Sequence, residues 1–156
     1  MALHVALVEP EIPPNTGNIA RSCAATGSVL HLVKPLGFSI EDRQLKRAGL
    51  DYWPYVKLIV HESLDEFLDE YRDGRLFFAT TKGKKYYTDI QFIDEDIIVF
   101  GKETEGLPRD LIERNKETSI RIPMAGETKL RSLNLSNSVN IVLFEALRQL
   151  GFPNLK

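Results

Sequence analysis

Cysteine is almost absent from this 156-residue chain: Cys23 stands alone, so no disulfide can form within it. No Cys/His spacing of the kind that holds zinc is found either. A domain of this length buries roughly 70% of the surface its unfolded chain exposes, so it needs neither staple. A reducing cytoplasm is the natural setting. Long apolar runs are missing too, and nothing approaches the roughly 18 residues of a membrane span. The opening MALHVALVEPEIPPN lacks a basic leader and sets Glu9 and Glu11 straight after a short apolar run, unlike a signal peptide. Charge of one sign is not in excess. The 20 Lys and Arg against 22 Asp and Glu leave a net charge of -2, which speaks against coating nucleic acid by charge alone and leaves room for a local basic face. With 43% hydrophobic and 27% charged residues, the composition fits one globular domain, not a disordered tail.

Familiar chemical signatures are also lacking. There is no G-x-G-x-x-G after the first strand, no G-x-x-x-x-G-K-[ST] and no G-x-S-x-G, which removes the common dinucleotide, P-loop and nucleophile-elbow readings. His4, His31 and His61 lie in or beside expected strands with no Ser or Cys partner, and read as structural. Cys23 shares an apolar helix face with Ile19, Ala20 and Ala24 and reads as packing.

What is present alternates. Leu3 to Val8 is a continuous apolar run of the kind found in strands covered on both faces. Asn15 or Thr16 can cap a helix to about Ala25, stopped by Gly27. Val29 to Val33 and Val56 to Val60 read as strands, with a helix from Glu41 to Ala48 between them. Ser63 and Glu66 make a capping box for a helix to about Tyr71. Leu76 to Ala79 and Ile97 to Phe100 are buried-type strands separated by a long polar loop, Thr80 to Asp96. Pro108 suits the first turn of a short helix, Ser119 to Ile122 is a last strand, and Ser136 to Leu150 a closing helix. This pattern implies an α/β fold, a largely parallel sheet with helices on both faces and ligands at the carboxyl ends of its strands.

Three polar segments follow strand ends. In N-T-G-N-I-A-R, capping explains Asn15 to Gly17 but leaves Asn18 and Arg21 on one helix side unexplained. In F-G-K-E-T-E-G-L-P, two glycines flank Glu103; they permit a tight turn or close approach to a ligand. In Ile122 to Val139, a cap accounts for only one of Ser132, Asn134, Ser136 and Asn137.

Taken in order, these segments resemble the three motifs of the SPOUT superfamily of RNA methyltransferases, in its SpoU (2'-O-ribose) branch. The matching residues are Asn15, Asn18 and Arg21; Gly101, Glu103, Gly106 and Leu107; and Pro123 and Met124 followed by Ser132 to Ser136. With A-G-L-D-Y-W at Ala48 to Trp53 and no room for an appended RNA-binding domain, the chain looks like the single-domain group of tRNA (cytidine/uridine-2'-O-)-methyltransferases acting at the wobble position. The resemblance implies a C-terminal deep trefoil knot, against the general rule that chains do not thread loops, and a homodimer with tRNA as partner. It implies S-adenosylmethionine as methyl donor, leaving as S-adenosylhomocysteine, held by Ala79, Thr80, Gly101, Glu103, Ile122, Met124, Ser132 and Leu133, and no metal. Arg21, acting from the partner subunit, is the expected catalytic residue, with Asn134 and Ser132 orienting nucleotide and donor. A guanidinium is a poor base, so Arg21 is expected to orient the ribose hydroxyl and stabilise developing charge. RNA contacts are expected from Asn15, Asn18 and Arg21 and from three basic clusters: Arg43, Lys46 and Arg47; Lys82, Lys84 and Lys85 beside Tyr86 and Tyr87; and Lys129 with Arg131. The apolar faces at Ile19 and Cys23, and at Val139 to Leu143, serve either the dimer or their own core. Methylation of another RNA, or a non-catalytic RNA-binding module, is the alternative reading.

Overall fold

The structure, a computed structural model, describes residues 1–41, 43, 45, 47, 53–126 and 132–156. Seven strands, β1 (His4–Val8), β2 (Val29–Val33), β3 (Lys57–His61), β4 (Leu76–Ala79), β5 (Lys85–Tyr86), β6 (Ile97–Phe100) and β7 (Ser119–Arg121), form one sheet in the order β3-β2-β1-β6-β4-β7-β5. All of their pairings are parallel. The uninterrupted burial of β2 and β6 follows from cover on both faces.

Helices α1 (Pro13–Thr26) and α4 (Leu135–Gln149) lie over one face. There Val5, Leu7, Leu30, Leu32, Ile98 and Phe100 meet Ile19 and Cys23 of α1 and Val139, Val142 and Leu143 of α4. Helices α2 (Leu64–Glu70) and α3 (Arg109–Arg114) cover the other, where Phe67 and Leu111 pack with Ala6, Val8, Val33, Phe78 and Val99. Truncating a fully buried residue such as Leu7 or Ile98 to Ala would cost about 2–5 kcal/mol. The apolar faces of α1 and α4 therefore serve their own core. Ile19, Cys23, Val139 and Leu143 are wholly buried in the single chain, which corrects the option that they meet a partner.

Two further expectations need correction. Helix α1 begins at Pro13, with Ile12 as N-cap and no capping side chain of its own, so Asn15 and Thr16 lie inside it. Two prolines fit the first turn because their missing N–H groups are not needed there. The loop after β4 holds a further strand, β5, paired with β7; two residues are too few to leave a periodic signal. Of the helix expected over residues 41–48, Arg43, Leu45 and Arg47 are helical and Leu45 is buried. Lys46, the stretch 48–52, Lys129 and Arg131 lie outside the described residues.

The chain runs outward from β1 to β3, then returns to β4, leaving a slot that β6 fills beside β1. Ligands of open parallel sheets gather at such a reversal, outside the carboxyl ends of the strands.

Candidate active site

A cleft of about 1240 Å³ opens at that edge of the sheet. Ala79, which ends β4, and Thr80 form one wall; Gly101 and Glu103, following β6, form the second. Ile122, Met124, Ser132 and Leu133, following β7, form the third. The residues expected to hold the donor thus border one space.

The second wall depends on backbone geometry that glycine allows. A Cβ on Gly101 would run into the Gly106 carbonyl carbon and the Leu107 amide, and Gly106 takes φ +70, where other residues are strained. The Gly106 amide closes the turn on the Lys102 carbonyl at 2.9 Å. This tight turn directs Glu103 at the start of α1. One of its carboxylate oxygens accepts from the Glu11 amide at 2.8 Å; the other accepts from the Ile12 amide at 2.9 Å and from Asn15 Nδ2 at 3.2 Å. A carboxylate more than 90 residues away along the chain thus supplies the cap that α1 lacks, at the positive end of its dipole.

Asn15 passes the connection on. Its Oδ1 accepts from Asn134 Nδ2 at 3.1 Å. Asn134 Oδ1 in turn accepts from the Ser136 amide at 2.9 Å and the Asn137 amide at 3.3 Å, capping α4. The helix thereby begins at Leu135, one residue before the sequence suggested. Glu103, Asn15 and Asn134 form one chain of hydrogen bonds joining all three segments beneath the cleft. Asn15 is buried and committed to both partners, which makes it a poor candidate for an RNA contact.

Charge around the cleft is mixed. Glu9, just past β1, holds φ 53 and places its carboxylate 3.3 Å from Lys102 Nζ. Such left-handed non-glycine backbone collects at ligand sites. The Thr104 hydroxyl and amide, both bonded to Glu11, hold that carboxyl below its usual range. Glu117 pairs with Lys84 and lies 3.8 Å from Lys85, so the basic loop is partly neutralised; the bond from Lys84 holds the Glu117 carboxyl low. Lys82 and Lys84 line the cleft and Lys85 does not. Asn18 and Arg21 are exposed on α1 and are not among the cleft-lining residues. Arg43 and Arg47 are exposed. Sequence reasoning missed Glu9 and Lys102, because nothing in residue type marks a left-handed backbone position or an ion pair formed across the fold.

The SpoU rRNA Methylase family model matches residues 2–144. The chain belongs to that family. Among SpoU relatives, the Methylovorus glucosotrophus protein named tRNA (cytidine(34)-2'-O)-methyltransferase is 51% identical over 149 residues, 95% of this chain and 96% of its own length. A solved structure described as "Structural insights into the 2-OH methylation of C/U34 on tRNA" superposes with a TM-score of 0.90 at 43% identity, covering 96% of this chain and 97% of its own. An AdoMet-bound rRNA methyltransferase from Sinorhizobium meliloti gives a TM-score of 0.83 at 27% identity over 96% of this chain and 57% of its own. In this SpoU chain the motif residues Gly101, Glu103, Met124, Ser132 and Asn134 all line the one cleft.

Proposed function

We propose that this protein transfers a methyl group from S-adenosylmethionine to the 2'-hydroxyl of cytidine or uridine at the wobble position of tRNA, in the cytoplasm. The observation that carries the reading is the hydrogen-bonded union of the three motif segments beneath one cleft. A relative matched over nearly its full length and named for the cytidine-34 reaction supports the substrate.

The cleft suits the donor. A nucleoside needs apolar walls and nearby backbone groups. Leu107, Met124, Leu133 and Val142 supply the walls, and the tight packing of Gly101 on the Gly106 and Leu107 backbone brings main chain to the cleft lining. When bound, S-adenosylmethionine brings an activated methyl group and leaves as S-adenosylhomocysteine. Ala79, Thr80, Gly101, Ile122, Met124, Ser132 and Leu133 are the residues proposed to touch it. Glu103 and Asn134, whose side chains are engaged by the starts of α1 and α4, are proposed to shape the site by holding its loops. For Asn134 this replaces the direct orienting role that the family resemblance suggested.

Arg21 is proposed as the catalytic residue. Its guanidinium would orient the ribose hydroxyl and steady the negative charge that grows on oxygen. Arg21 sits on the exposed side of α1, outside its own cleft, which supports a homodimer in which each copy serves the other's site. The sheet order supports the trefoil knot. Strand β7 enters between β4 and β5, the Thr80 amide bonds the Ile120 carbonyl at 2.9 Å, and Gly83 presses on the Ile120 backbone where a Cβ would collide. The return to α4 would then complete the threading. Lys82 and Lys84 at the cleft, with Arg43 and Arg47, are proposed to track RNA phosphates.

The test is transfer of labelled methyl to bulk tRNA followed by mapping of the modified nucleotide. Label on the 2'-oxygen of nucleotide 34, lost in Arg21→Ala while S-adenosylhomocysteine still binds, is the expected result. Label elsewhere, or full turnover by Arg21→Ala, would overturn the assignment.

A further inference from the structure

The three histidines that the sequence offered as separate structural residues form a single row. On the face that α2 covers, His31 is paired across the sheet with Ala6 and Ile59. Its same-face neighbours two positions along are therefore His4 of β1 and His61 of β3. His4 Nδ1 lies 2.8 Å from His31 Nε2, and His31 Nδ1 lies 2.9 Å from His61 Nε2. The row ends on carboxylates at both sides. His4 Nε2 is 3.5 Å from Glu95 Oε2, and His61 Nδ1 is 3.4 Å from Glu70 Oε2. Phe67 and Tyr71 pack against the rings of His31 and His61, both of which are buried.

Counting protons shows what this row requires. Each ring–ring contact needs one N–H between its two nitrogens, and each end contact needs one N–H facing the carboxylate. That makes four protons for four contacts, whereas three neutral imidazoles carry only three. In the neutral row the N–H groups all point one way, and a bare nitrogen faces a carboxylate at one end. One added proton satisfies every contact. A second would set two N–H groups against each other across a 2.8 or 2.9 Å gap and break the row.

We propose that His4, His31 and His61 act as one proton-binding unit that takes up a single proton between Glu95 and Glu70 and so clasps the N-terminal segment and α2 to the outer half of the sheet. The clasp reaches the N-terminal segment because Glu95 Oε2 also accepts from the Ala2 amide at 2.7 Å. Burial, with the neighbouring histidines, disfavours a charge on His31 itself, and only the two outer rings face a carboxylate. Other titratable groups face the row. Burial holds the His61 ring below its ordinary value, and Glu70 and Glu66 on α2 oppose that shift without reversing it. The Tyr71 phenol is pushed up by burial and stays neutral. The chain's amino terminus acts on Glu95, and Asp96, next along, is engaged by Arg75 at 2.7 Å.

The row can be tested by long-range proton–nitrogen spectra of the full-length, ¹⁵N-histidine-labelled protein from pH 9 to pH 4, in the wild type and in Glu95→Gln. Glu95 is half exposed, so the variant should fold. The expected result is one shared midpoint for all three rings, a total uptake of one proton while the fold persists, and a lower shared midpoint in Glu95→Gln that His61 reports as clearly as His4. Three separate midpoints, an uptake of none or of more than one, or a Glu95→Gln effect confined to His4 would each overturn the proposal.

Discussion

Replacing Glu103 with Ala should loosen the start of α1 and, through it, the whole cleft. The change removes three hydrogen bonds, at 2.8, 2.9 and 3.2 Å. A bond to a charged group is worth about 1.5–3 kcal/mol when its partner is left buried and unpaired. Here the freed amides of Glu11 and Ile12 sit at the mouth of an open cleft, where water replaces the carboxylate. Re-solvation therefore sets the scale, and the loss should resemble that of a helix N-cap, about 1–2 kcal/mol. For a chain of this length that corresponds to a melting temperature about 2–8 °C lower. Chemical denaturation of wild type, Glu103→Ala, Asn15→Ala and the double variant closes a thermodynamic cycle. Because Glu103 and Asn15 touch, the cycle should return a coupling of at least about 0.5 kcal/mol. Weakened binding of S-adenosylhomocysteine should accompany it. A single variant within about 0.3 kcal/mol of wild type, or strictly additive effects, would refute the idea that this carboxylate ties the segments together.

Other consequences follow from the same structure. His31, held by burial down to about 3 against an ordinary 6.5, is neutral in both states above pH 6.5, so its contribution is fully present there. As pH falls below 6.5 the unfolded ring gains a proton that the folded one refuses, and stability should drop by about 2 kcal/mol by pH 5 from this residue alone, measurable by denaturation at both pH values. Cys23, buried and with its thiol pushed up to about 12, should resist a thiol reagent in the native protein and react once the protein unfolds. Gly101→Ala should open the turn at Gly106 and lower stability by about 1–3 kcal/mol, with loss of S-adenosylhomocysteine binding in calorimetry. Lys82→Ala should lower the salt slope of tRNA binding by up to about one unit, and Lys84→Ala by less, since Glu117 already engages Lys84.

Much of the fold was legible because short apolar runs such as VLHLV, rich in β-branched residues and bounded by glycine or proline, suit a strand covered on both faces. The motif residues were legible in kind, as polar groups after strand ends, but their jobs were not. Asn15 reads as a cap in the sequence, yet the cap of α1 is Glu103, which only tertiary structure brings within 3 Å of the Ile12 amide. The same limit hid the histidine row. His4, His31 and His61 stand 27 and 30 residues apart, and only the parallel register of β1, β2 and β3 sets them side by side. Strand β5 escaped notice because it is two residues long and owes its existence to β7.

The central claim is that the segments after β4, β6 and β7 together hold S-adenosylmethionine. A crystal structure with S-adenosylhomocysteine tests it most directly: density bounded by Ala79 and Thr80, Gly101, and Ile122, Met124, Ser132 and Leu133 is the expected outcome. A ligand seated elsewhere on the chain, or none at saturating concentration, would contradict it.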